Sequence, residues 1–156
     1  MTINIDVHEK GTFNVQEAID NIKKDPNYRK AGAIGLFIGV VRGETLESER
    51  QRVEKITIEA YEEKADQALF NISTELTQKH GIVNVQIPHL IGEFTVGEDL
   101  VYVVVAGAHR TDVFPVLGEA VERYKSEVPV FKKERIVSKQ GDASEYWVSE
   151  KESNHS

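Results

Sequence analysis

The 156-residue chain contains no cysteine, and that absence closes off disulfides, zinc–thiolate sites, cysteine-ligated iron–sulfur clusters and every mechanism that uses a protein thiol. Sulfur chemistry, if it occurs here, must use sulfur carried by another molecule. The chain is also short of positive charge, with 19 Lys and Arg against 26 Asp and Glu and a formal net charge of −7. That balance disfavours generic binding to nucleic acid or to acidic membrane, although a local basic pocket remains compatible with it. Long apolar runs are missing too: no stretch approaches the roughly 18 residues of a membrane span. The opening MTINIDVHEK lacks the basic-then-apolar layout of a signal peptide, so a cytoplasmic location is expected. His8, His80, His89, His109 and His155 are scattered singly with no metal-ligand spacing, and there is no P-loop, GxGxxG or GxSxG, so no metal and no cofactor are expected.

What is present is 40% apolar and 29% charged, the balance of a soluble globular protein of one domain. Residues 1–151 are expected to form it, with 152–156 a frayed tail. Ile3, Ile5 and Val7 alternate as in a half-buried strand, and Asn14 with Glu17 three residues on reads as a capping box before a helix with Val15, Ala18, Ile19 and Ile22 on one face. AIGLFIGVV, 33–41, reads as a strand buried on both faces, followed by an exposed loop over 43–52. A strand over 53–61 leads to a helix marked by Ala65, Ala68, Leu69, Ile72 and Leu76, with Gly81 at its C-cap. Strands are expected over 82–91, interrupted at Pro88, and over 100–106. A helix starting near Thr111 or Asp112 carries Pro115 in its first turn and stops before Pro129, and strands over 130–137 and 145–148 close the chain. The order predicts a mixed α+β fold with a mainly antiparallel sheet and about three helices.

Three places carry candidate chemistry. At the strand-to-helix junction Gly107-Ala108-His109-Arg110, free helix N–H groups beside a His and an Arg suit a phosphate; the plainer alternatives are a hydrogen-bonded junction histidine and a surface arginine. Lys125, ending the last long helix, and Lys132, past Pro129, suit proton transfer or contact with a carboxyl group under attack, or simply complement a helix dipole and an edge strand. Arg42 ends the buried apolar strand, where arginine can fork onto phosphate.

FIGVVR (37–42), IGEFTVGEDLVYVVVAGAHR (91–110) and YKSEVPVFKKE (124–134) together resemble the large subunit of molybdopterin synthase, in matching order and spacing over roughly residues 30–150. The resemblance implies an α/β-hammerhead-like fold and a homodimer of large subunits. A small ubiquitin-like subunit with a thiocarboxylate on its Gly-Gly C-terminus would bind at each end, making a heterotetramer. The implied reaction is sulfurtransferase chemistry on cyclic pyranopterin monophosphate, building the molybdopterin dithiolene for molybdenum cofactor. It places the essential lysine at Lys125 and a second at Lys132. It assigns anion contacts to Arg42, His109 and Arg110, the last two from across the dimer. Phe37, Val40, Val41, Lys133, Glu134 and Lys151 fall among the implied substrate contacts. Val121, Phe131, Leu90 and Lys151 depart from residues common in the family, at the margins of the site. A non-catalytic module of the same fold that binds a phosphorylated pterin or the ubiquitin-like partner, a nucleic-acid or nucleotide-phosphate binding protein, and a phosphatase or phosphodiesterase are the competing readings.

Overall fold

The computed structural model describes residues 6–44, 52–138 and 140–148. Eight strands and three helices follow one another as β1 (Val7–Glu9), α1 (Val15–Lys23), β2 (Ala33–Val40), β3 (Arg52–Ala60), α2 (Glu62–Thr77), β4 (Ile82–Gln86), β5 (His89–Thr95), β6 (Asp99–Gly107), α3 (Arg110–Glu127), β7 (Val130–Val137) and β8 (Ala143–Val148), with a single 3-10 turn at Tyr28–Lys30. The sheet runs β2-β6-β5-β3-β7-β8, with β4 also on β6 and β1 also on β5. All its pairings are antiparallel except β1 with β5. The α+β class read from the sequence is therefore the class of the fold.

Side-chain alternation along β6 sorts the helices. Val101 abuts Gly39 on the side of the Tyr124 hydroxyl and α3, whereas its neighbour Tyr102 meets Phe13 just ahead of α1. The helices thus cover both faces, and β6 between them is buried from Val101 to Gly107. That explains its run of β-branched residues. Asn14 caps α1 as its sequence predicts, its side chain accepting from the Glu17 N–H at 2.9 Å. Leu69, Ile72 and Leu76 on α2 are fully or almost fully buried, so the helical spacing seen in the sequence is that of a core face.

The interruption expected at Pro88 is found, and two helix boundaries differ from expectation, each for a physical reason. The strand expected over 82–91 divides into β4 and β5 around Pro88, which has no N–H to give a ladder; its carbonyl accepts from the Tyr102 N–H at 3.0 Å. Helix α2 is capped by Gln78 rather than at Gly81. Gly81 has φ +76° in the following turn, and a Cβ there would strike Asp112 of α3, so the glycine fits the close approach of α3 to that turn. Helix α3 starts at Arg110, which moves Pro115 beyond its first turn and leaves the Thr111 carbonyl without that intrahelical donor. The first described strand is Val7–Glu9; the expected contributions of Ile3 and Ile5 lie outside the described residues, as does most of the expected loop over 43–52.

The N-terminal strand is tied down at its root. Asp66 on α2 accepts the N–H groups of Asp6 and Val7 at 3.1 and 2.9 Å, and the Asp6 carbonyl accepts from the His89 N–H. The Asp6 carboxyl is raised to about 7, first by burial and then by the neighbouring Asp66. Because the folded value lies above the unfolded one, ionisation of Asp6 favours unfolding between the two values. Stability of the native chain relative to Asp6→Asn should therefore fall as pH rises from about 4 to 7 and level off beyond. Chemical denaturation at several pH values measures this, and parallel curves for the two proteins would contradict it.

Candidate active site

A cavity of about 230 Å³ opens where β2, β3, β5, β6, the last turn of α3 and the start of β7 converge. Phe37, Ile38, Gly39, Val40, Ile58, Leu100, Val101, Tyr124 and Val130 give it a mostly apolar wall, and Arg42, Lys125 and Lys132 bring positive charge to it. None of these three cations forms an ion pair with another described residue. No carboxylate lines the cavity among the described residues, so a bound anion would meet three cations that no described carboxylate in the lining offsets.

Local structure sets each charge. Arg42 follows the end of β2, where a register shift at Gly39/Val40 turns the chain. Lys125 sits in the last turn of α3, where a cation also complements the helix dipole. Its neighbour Tyr124 is buried and faces the sheet on the stripe Val113, Val116, Ala120 and Tyr124. Lys132 lies opposite Ile58 in the β3–β7 register, and both line the cavity.

The same register separates Lys133 from Lys132. Lys133 pairs with Thr57 and Trp147 on the other face of β7, with its ammonium 3.5 Å from Glu145 and 5.3 Å from the centre of the Trp147 ring. Glu134 is back on the Lys132 face and accepts from the Tyr146 hydroxyl at 3.4 Å. Phe37 and Val40 line the cavity, whereas Val41 is buried 2% exposed beside it and is not part of the lining. Lys151 lies outside the described residues.

His109 and Arg110 are not at this cavity. Both are exposed at the start of α3, Arg110 fifteen residues before Lys125, which at 1.5 Å per residue is about 22 Å along the helix. One chain therefore holds two basic groups at opposite ends of a single helix.

Sequence reasoning missed His89, which looked like one more scattered histidine. It is buried in the cavity wall, its ring 5.7 Å from Tyr124 in an edge-on contact and its Nδ1 3.0 Å from the Leu90 carbonyl. A carbonyl can only accept, so Nδ1 carries the hydrogen of a neutral ring. Burial pulls the imidazole down to about 4, outweighing the backbone bond that favours its charged form. The signal available in sequence was position alone: it opens a strand beside a proline break. The His89 ring should remain neutral through pH 5.5, so its carbon-bound proton shifts should stay flat there in an NMR titration. A midpoint near 6.5 would contradict the buried, neutral ring.

Residues 8–127 match the MoaE protein family. The chain is 37% identical over 136 residues to the molybdopterin synthase catalytic subunit of Pyrococcus abyssi, covering 87% of this chain and 84% of that one. It is 32% identical over 151 residues to the probable molybdopterin synthase of Haloferax volcanii, covering 97% of this chain but only 55% of that longer protein. The crystal structure of molybdopterin synthase from Staphylococcus aureus superposes with a TM-score of 0.75 at 26% identity, covering 92% of this chain and 96% of that one. The chain belongs to the MoaE protein family, whose curated relatives are molybdopterin synthase catalytic subunits.

Proposed function

We propose that this chain performs the sulfur transfer of molybdopterin synthase in molybdenum cofactor biosynthesis. It accepts the C-terminal thiocarboxylate of a small ubiquitin-like subunit and delivers its sulfur to cyclic pyranopterin monophosphate to build the dithiolene. The observation that carries this reading is the grouping of Arg42, Lys125 and Lys132 around one small cavity whose other lining residues are mostly apolar, in a chain without cysteine. A protein with no thiol of its own needs a sulfur donor from outside, and a thiocarboxylate is an anion that three cations can receive.

Cavity size supports a thin guest. Binding pockets for small molecules commonly hold roughly 300–1,000 Å³, more than the cavity offers. The space suits an extended glycine tail, with the phosphorylated pterin at its mouth. In this reading Lys125 assists attack at the thiocarboxyl carbon or moves a proton during sulfur addition, and Lys132 stabilises the developing negative charge. Arg42 holds the substrate phosphate together with His109 and Arg110 of a second copy, because a chain's own α3 holds its junction too far from its cavity.

The edge of the sheet supports such a pairing. Strand β2 is last in the strand order, and Leu36, Ile38 and Val40 along it are 36%, 37% and 51% exposed. Its Ala33 end pairs with Gly107, two residues before His109, and its Val40 end lies at the cavity. Two copies joined antiparallel along β2 would bring the basic junction of each toward the cavity of the other. The proposed assembly is a homodimer carrying a small subunit at each end, and its proposed location is the cytoplasm; no helix among the described residues is long and apolar enough to cross a membrane.

The test is a reconstitution with a thiocarboxylated small subunit and cyclic pyranopterin monophosphate, with molybdopterin read as its fluorescent oxidation product. Lys125→Ala should lower product formation by at least about a hundredfold, in the range expected for loss of a proton-transfer group, with the folded structure retained. Turnover near native would overturn the role of Lys125. Lys132→Ala should cost far more activity than Lys133→Ala, since only Lys132 faces the cavity; equal losses would count against the reading.

A further inference from the structure

Arg42 has a support that the reaction scheme does not use. The residues on both sides of it rest on one turn, Thr95–Glu98, between β5 and β6. On one side the Val41 N–H donates to the Glu98 carbonyl at 3.0 Å and the Gly97 N–H donates to the Val41 carbonyl at 2.9 Å. On the other, Gly43 lies so close to Val96 that a Cβ on it would come within 3.1 Å of that side chain. Gly97 has φ +87°, which lets the turn close tightly.

The turn is in turn held by one carboxylate. Glu98 Oε1 accepts from the Thr95 N–H at 2.7 Å, the Thr95 hydroxyl at 2.9 Å and the Lys10 ammonium at 2.8 Å. The same ammonium donates to the Glu93 carbonyl at 2.9 Å and lies 5.4 Å from the centre of the Phe94 ring. One oxygen thus closes the turn on itself and anchors it to the segment after β1.

We propose that Glu98 is a positioning residue for Arg42: its carboxylate, clamped by Lys10 and Thr95, fixes the turn that seats Val41 and Gly43 and so aims the guanidinium at the cavity. The role rests on the reading of Arg42 as a contact of the substrate phosphate. Glu98 stays ionised far into acid, its carboxyl drawn down to about 2 by the hydrogen bond from Lys10 and then by those from Thr95. The clamp therefore persists across the whole range in which an enzyme of this kind is assayed.

A guanidinium on a loosened support still binds phosphate, but with more freedom to lose, so the effect belongs in KM rather than in the chemical step. The experiment is a double-variant cycle of Glu98→Gln and Arg42→Ala in the reconstituted enzyme, with KM for cyclic pyranopterin monophosphate and kcat measured separately. Glu98→Gln should raise KM about five- to tenfold with kcat within about twofold, and should have little further effect on KM when Arg42 is already alanine. Lys10→Met, which removes the ammonium but changes no residue of the turn itself, should raise KM in the same direction by a smaller factor. A merely structural role would lower the active fraction, and hence kcat, equally in both backgrounds while leaving KM alone.

Two results overturn the proposal in distinguishable ways. If Arg42→Ala raises KM but Glu98→Gln does not, or if the two effects multiply in the double variant, Glu98 does not act through Arg42. If Arg42→Ala leaves KM unchanged, the phosphate contact itself is wrong and the positioning role falls with it.

Discussion

An α-helix advances 1.5 Å per residue, and the proposed site is organised around that constraint. Helix α3 presents His109 and Arg110 at its first turn and Lys125 at its last, and no bend within it can bring them together. Part of the core holds this helix in place. Val113, Val116, Ala120 and Tyr124 form its buried stripe. The sheet answers with small residues: Gly35 lies beneath Val113 and Leu117, and Gly107 lies close to Val113. On the proposed reading, a rigid helix across one chain gives each copy half of two sites, so the proposed unit of function is a pair.

Charge is distributed on a second principle. The chain as a whole is acidic, yet Arg42, Lys125 and Lys132 meet at a cavity whose other lining residues are mostly apolar. In such surroundings an anion interacts with each cation more strongly than it would in bulk water. His89 adds an aromatic wall and no charge, because its burial keeps the imidazole neutral. The acidic residues of the exposed surface keep the protein from acting as a general anion binder, so the attraction is confined to the cavity.

Much of this was legible in the sequence, and the reasons for the rest are particular. The spacing of Leu69, Ile72 and Leu76 revealed a core helix, and LVYVVVA a buried strand, because periodicity is a local property. The three matched blocks named Arg42, Lys125 and Lys132, which the fold does bring to one cavity. The difference between Lys132 and Lys133 depends on which face of β7 meets the cavity, and that is set by the register with Ile58 and Thr57, more than seventy residues earlier. His89 carried no motif of its own; its burial comes from contacts with Tyr124 on α3 and the neighbourhood of β1, none of it adjacent in sequence. Glu98 likewise reads as an ordinary turn residue until Lys10 is found beside it.

The central claim is that a working site needs the cavity of one copy and the α3 junction of another. Mixing two inactive proteins tests it most directly: chains carrying Lys125→Ala are unfolded and refolded together with chains carrying His109→Ala and Arg110→Ala. Random pairing makes half of the dimers mixed, and each mixed dimer has one intact site of two, so about a quarter of native activity should return. If the mixture stays as inactive as its parents while mixed dimers are shown to form, each site is built within one chain and the account is contradicted.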